Sequence, residues 1–183
     1  MMILETVLLG LVVGLATRGT VAKMQDARLN HERYFILVLL LYLAWPSLGN
    51  WLGVGQREFI SIWLLLASCV AGLALMNTRY VGMILAVAGL VANILVVTLN
   101  VAMPVHLQHA GTDAERVQER IADSMLHEPV TDQTLLPQLG DTLFVPGPSW
   151  HRALVSYGDL LLALGVGAVV VQMMHSQGDP ARD

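Results

Sequence analysis

Apolar and polar positions divide the chain into five long apolar runs, at about residues 2–17, 34–52, 59–76, 80–103 and 154–174. A helix needs about 20 mostly apolar residues to cross a bilayer. Each run is therefore predicted to be a membrane-spanning helix, the first of them short and carrying Glu5 near its start. The polar stretches between the first four runs are brief. The fifth run follows a long polar segment that begins at Pro104. Within that segment Val117, Ile121 and Met125 recur every four residues, while Glu119, Arg120 and Asp123 take the other faces. This is the pattern of a short amphipathic helix, about 113–127. Thr112-Asp113-Ala114-Glu115 has the form of a capping box at its start, and Pro129 closes it. The prolines at 137, 146 and 148 with Gly140-Asp141 predict turns.

The predicted fold class is an all-α membrane protein: a bundle of five transmembrane helices with one extracytoplasmic segment containing a short amphipathic helix. Residues 1–103 form a four-helix transmembrane region, 104–153 the extracytoplasmic segment, 154–175 the fifth helix and 176–183 a disordered tail. Positive charge sets the orientation. The first loop carries Arg18, Lys23, Arg28 and Arg33, whereas residues 104–152 carry Arg116, Arg120 and Arg152 against seven acids. That puts the first loop in the cytoplasm, the N-terminus outside and the C-terminus inside, in a multi-pass protein of the cell membrane. Trp45, Trp51, Trp63 and Trp150 then fall at outer helix ends, and Tyr34 and Tyr80 at inner ends. The first run lacks a basic start and a small-x-small cleavage site before Arg18, so it reads as a retained helix. Pro46 is expected to kink or end the second helix near its outer end.

Composition agrees: 55% of residues are hydrophobic and 13% charged, about half the charged share of a soluble domain. The expected partner is the lipid bilayer, with a membrane-protein partner or a second copy of the chain beside it. A net charge of −4 and the lack of any basic cluster exclude a nucleic-acid partner. Cys69 stands alone in an apolar run, so no disulfide framework or cysteine-based zinc site is expected. Gly10-x-x-x-Gly14, Ala163-x-x-x-Gly167 and the face of Ser68, Cys69, Ala71 and Gly72 are small-residue surfaces of the kind that bring helices together in lipid.

Candidate chemistry is sparse. Asn93 and Asn100 share one face of the fourth helix with Gly82, Ala86 and Gly89. A buried amide needs a partner. The stripe reads either as interhelical hydrogen bonding or as a ligand path. Asp159 opens the fifth helix three residues after Ser156, either as a capping carboxylate or as an intramembrane acid with a function. Glu5, Asn93, Asn100 and Asp159 form the candidate polar site, with Asn100 expected opposite Asp159. His106, His109, His127 and His151 share the long segment, but their spacing matches no established metal site. No metal or cofactor is expected. No nucleophile elbow, phosphate-binding glycine loop or HExxH motif is present, so nothing points to an enzyme.

Three short motifs stand out: Asn100-Val101-Ala102-Met103-Pro104-Val105, then Leu139-Gly140-Asp141, then Ser156-Tyr157-Gly158-Asp159. Together they resemble a family of small bacterial integral membrane proteins of unknown function, from actinobacteria and Gram-positive lineages. In that family an Asn-Gly-Gly-x-Met-Pro-like segment closes a helix, and a Leu-Gly-Asp precedes a final helix opened by Ser-x-Gly-Asp. Val101-Ala102 stands where glycines are usual. The resemblance implies a class and a cell membrane, without an activity. The preferred functional expectation is a small scaffold or accessory membrane protein. The alternative is an outward-facing polar site that binds or acts on a lipid-linked or small polar ligand.

Overall fold

The computed structural model describes residues 2–146 and 153–176. Trp150, His151 and Arg152, and all of the expected disordered tail but Ser176, lie outside the described residues. The helices are α1 (Met2–Ala16), α2 (Glu32–Leu52), α3 (Gln56–Leu75), α4 (Val81–Asn100), α5 (Ala114–Ala122) and α6 (Tyr157–Met174). Four of them, α2, α3, α4 and α6, are long and apolar enough to cross a membrane. α1 is apolar but has only 15 residues, about 22 Å of helix. Four short strands join the helices, which an all-α reading did not include: β1 (Met103–Val105), β2 (His127–Pro129), β3 (Leu143–Val145) and β4 (Ala153–Val155).

The long helices pack in the order α1–α6–α4–α3–α2. The last helix thus lies between the first and the fourth. α1 runs in the same direction as α6, with Gly10 against the Gly167 carbonyl and Val170, and Gly14 against Met174. α4 runs opposite to α6. Gly82, Gly89 and Gly165 meet backbone atoms of the facing helix, leaving no room for a Cβ. The small-residue faces expected on α1, α4 and α6 are therefore contact surfaces. That of α3 is a contact surface only at Ala71: Ser68 and Cys69 are exposed and Gly72 faces open space. α3 instead buries Phe59, Ile60, Trp63, Ala67, Val70, Ala71 and Ala74.

Pro46 lies inside α2 and does not end it. Lost backbone bonds of this kind are re-satisfied by neighbours in membrane helices. Next to it Trp45 ties α2 to α3, donating its indole N–H to the Phe59 carbonyl at 3.0 Å and stacking on the Phe59 ring. At the opposite end of the bundle, the wholly buried Asn77 accepts from the Asn30 backbone N–H at 2.6 Å and donates to the Asn30 carbonyl at 3.2 Å. That exchange ties the first loop to the α3–α4 turn. His175 follows α6 and bonds the Thr17 carbonyl at 3.0 Å and the Val171 carbonyl at 2.9 Å. Two carbonyls require both ring nitrogens to donate. The bond to Thr17, then that to Val171, raises its pKa.

Residues 101–146 and 153–156 form a cap over the other end. α4 stops at Val101, which takes a left-handed backbone with φ of 60°. The chain then enters β1, which pairs in parallel with β2, Met103 opposite His127. α5 starts after Asp113, whose side chain makes no capping hydrogen bond; the cap expected from the Thr112 side chain lies outside the described residues. α5 also ends at Ala122, short of residue 127, because Ser124 turns the chain. Its Oγ accepts from the backbone N–H groups of Leu126 and His127 at 3.2 and 3.3 Å, releasing them into β2. The apolar face of α5, Val117 and Ile121, packs with Val105, Ala110 and Leu154 into a small core of the cap's own. β3 and β4 pair antiparallel and lead into α6.

Candidate functional site

Ser156, Gly158 and Asp159 meet Asn93 in a closed ring of four hydrogen bonds. Ser156 is the N-cap of α6, with extended backbone, and its Oγ accepts from the Asp159 backbone N–H at 2.9 Å. The Asp159 carboxylate returns the bond, its Oδ2 accepting from the Ser156 N–H at 3.2 Å. This is a capping box, built with Asp at the position where Glu is usual. Asn93 links it to α4. Its Oδ1 accepts from the Ser156 hydroxyl at 2.9 Å and its Nδ2 donates to Asp159 Oδ1 at 2.7 Å. Gly158 is required here, because any Cβ would overlap the Asn93 amide. The spacing Ser-x-Gly-Asp thus has one physical reason per residue: a cap, a gap and an acceptor.

The ring joins Asn93 and Asp159 and leaves the other two candidates out. Asn100 does not face Asp159. It lies seven residues further along α4, about 10 Å away, and it holds the cap. Its Oδ1 accepts from the Leu135 N–H at 2.7 Å and its Nδ2 donates to the Leu135 carbonyl at 2.9 Å. An open depression of about 260 Å³ lies beside this contact, lined by Asn100, Glu128, Gln133 and Leu135 among others. Glu5 makes none of the ring's four hydrogen bonds. Thr6, next to it, touches Gly167, eight residues along α6 from Asp159.

A second polar cluster lies in the cap and was not foreseen. Gly140 packs against the Pro104 backbone with no room for a Cβ. That contact lets Asp141 extend the β1–β2 ladder: its N–H donates to the Pro104 carbonyl at 2.7 Å, and its carbonyl accepts from the His106 N–H at 3.0 Å. The Asp141 side chain is thereby carried into the cap core, where it is 5% exposed. Its Oδ2 lies 3.6 Å from His127 Nε2, and its Oδ1 has no hydrogen-bond partner. Burial, with a smaller contribution from Asp159, raises the Asp141 pKa well above the usual carboxylate value. Burial also lowers that of His127, against an opposing effect of Asp159. Both groups are pushed toward neutrality, so the close approach is not a charged pair.

Ser124 completes the line, with its Oγ 2.7 Å from His127 Nδ1. Ser, His and Asp in series suggest an activated nucleophile. The bonding argues otherwise, because two backbone N–H groups of its own turn already bind the Ser124 oxygen. The tautomer follows: the Ser124 hydroxyl donates to Nδ1, leaving the proton of the neutral imidazole on Nε2, toward Asp141.

Beside this pair lies a cavity of about 130 Å³, lined by Val105, Val117, Arg120, Ile121, His127, Asp141, Ala153 and Leu154. The other cap histidines form a separate feature. The rings of His106 and His109 stack at 5.0 Å, donating to the carbonyls of Pro137 and Thr142 respectively, each at 3.0 Å. Among the described residues no three His, Cys, Asp or Glu side chains converge as a metal site would need.

No curated protein and no solved structure matches the chain. A family profile does, over residues 7–171. That span includes both glycine-lined helix contacts, the whole cap, the ring at Asn93 and the pocket at Asp141. With nearly its whole length matched, the chain belongs to DUF5317, a family of unknown function.

Proposed function

We propose that this protein is a small scaffold or accessory subunit of the cell membrane, in which five helices hold a folded extracytoplasmic cap. The N-terminus is outside and the C-terminus cytoplasmic, following the four basic residues of the first loop. The observation that carries the scaffold reading is the closed ring of Asn93, Ser156 and Asp159. Each of these groups is bonded to another member of the same ring, so the strongest polar feature of the bundle works as a fastener. Asn100 and Asn77 fasten in the same manner, each to a backbone segment.

A scaffold needs a face for its partner, and α2 supports one. It packs on α3 along one side and exposes Leu37, Leu40, Leu41 and Trp51 on the rest of its surface. The partner is another membrane protein or a second copy of the chain. Photo-crosslinking amino acids at positions 37 and 41 of the protein in native membranes test this. One discrete adduct is expected. A ladder of lipid adducts with no protein adduct would refute the scaffold role. Cysteine labelling of intact cells at position 132 against position 28 tests the orientation, with the first labelled and the second protected.

A further inference from the structure

We propose that the cavity beside Asp141 is a binding site for a primary ammonium group, carried either by a free amine or by an ethanolamine lipid headgroup. Three geometric facts carry this. Asp141 is 5% exposed, and its Oδ1 has no partner. A buried polar atom left unpaired is costly, and such atoms in folded proteins are exceptions that need a cause. The space beside it is a defined cavity of about 130 Å³, enough for a few non-hydrogen atoms. Its walls are mainly aliphatic, from Val105, Val117, Ile121, Ala153 and Leu154.

The chemistry of the open atom selects the ligand. His127 Nε2–H points toward Oδ2, because Ser124 engages Nδ1. In the ionised form, which a bound cation would restore against the effect of burial, Oδ1 is an acceptor waiting for a donor. A cationic donor suits it better than a neutral one, since a buried carboxylate is stabilised by a paired and hydrogen-bonded positive charge. The nearby Asp159 adds negative potential, felt by both Asp141 and His127. A primary ammonium supplies both the charge and the N–H bonds, and its short alkyl stem matches the aliphatic walls. A trimethylammonium group has no N–H to offer and fills more space. The site should therefore separate ethanolamine from choline chemistry. This inference is independent of the scaffold reading and of the orientation in the membrane.

The experiment is calorimetric titration of the purified full chain in detergent with ethanolamine, and with tetramethylammonium as control. Saturable one-to-one binding of ethanolamine is expected, with no competition from tetramethylammonium. Asp141→Asn should weaken it at least tenfold. Ala153→Phe, which fills the cavity from β4 and leaves the carboxyl in place, should do the same. Melting in nanodiscs then separates the sources. A higher melting temperature in phosphatidylethanolamine than in phosphatidylcholine, lost in Asp141→Asn, identifies the headgroup. Equal melting together with ethanolamine binding identifies a free amine. The proposal is overturned if the folded wild type shows no saturable binding, if both variants bind within twofold of wild type, or if tetramethylammonium competes equally.

Discussion

Replacing Asn93 with alanine is the sharpest test of the fastener. The substitution removes two bonds of the ring, those from the Ser156 hydroxyl at 2.9 Å and to Asp159 Oδ1 at 2.7 Å. Side-chain bonds between membrane helices contribute about 0.6–1.7 kcal/mol each. Ser156 is wholly buried, so its hydroxyl is left without its acceptor, and an orphaned buried group costs about 1–3 kcal/mol. Counting the Asp159 bond and the orphaned hydroxyl, which already includes the lost Ser156 bond, these predict a loss of about 2–5 kcal/mol. Asp159→Asn should cost less. An amide in that place cannot accept from both Asn93 Nδ2 and the Ser156 N–H, so one bond is lost, about 1 kcal/mol, with about 0.3–1 kcal/mol from the helix dipole.

The double variant carries the argument further. The Asn93–Asp159 bond is counted in both single substitutions, so their sum should exceed the cost of the double variant by about 1 kcal/mol. Reversible unfolding in mixed micelles, followed by circular dichroism, measures all three. If Asn93→Ala stays within about 0.5 kcal/mol of wild type, or if the two costs simply add, the ring does not fasten α6 to α4. If the scaffold reading holds, loss of function in these variants should follow the loss of folded protein. Full folding of Asp159→Asn with no function would point to an acid acting on a ligand.

Three further outcomes are expected. Val101 takes φ of 60°, which costs a β-branched residue about 1–3 kcal/mol; Val101→Gly should therefore stabilise by about 1 kcal/mol in the same unfolding assay, and a destabilised variant would refute the strain. Asn100→Ala should free the segment around Leu135, seen as faster proteolysis there with the bundle intact; unchanged cleavage would mean that other contacts hold it. Asp141, with its pKa raised, contributes stability that is fully present below the ordinary value of 3.8 and is lost as pH rises through its folded pKa. Asp141→Asn should then melt at or above the wild-type temperature at pH 8, with the gap closing toward pH 4, and a lower melting temperature at pH 8 would contradict a desolvated acid. His127, with its pKa lowered, works in the opposite sense, since the unfolded chain takes up protons first as pH falls below about 6.5.

Helical features were legible because their signal is local. Apolar run length gave the four helices long and apolar enough to cross a membrane nearly to their ends, and the seven-residue spacing put Asn93 on the buried face of α4. Which asparagine would meet Asp159 was not legible. That depends on how far α6 is displaced along α4, and the displacement is set by Gly89 against the Gly158 carbonyl and by Gly82 against Gly165. Each glycine is visible in the sequence, but nothing local says which pairs with which. The antiparallel offset that results brings the first turn of α6 level with Asn93, and the last two turns of α4 rise past it into the cap.

The cap was illegible for a different reason. Strands of three residues are too short for an alternating pattern to stand out, and β1 and β2 each contain a proline, Pro104 and Pro129, which normally argues against a strand. Both positions are tolerated because pairing runs through their neighbours: Met103 donates to the Leu126 carbonyl at 2.7 Å and Val130 to the Val105 carbonyl at 3.1 Å. The same ladder explains Leu139-Gly140-Asp141, read from sequence as a turn signal and as a motif shared with a family, without a physical reason. Gly140 and the Asp141 backbone lock onto Pro104, and the carboxyl has no choice but to enter the core. A turn would have left that acid in water. The ladder places it 3.6 Å from His127, beside a cavity, and so converts an ordinary surface residue into the most unusual group in the cap.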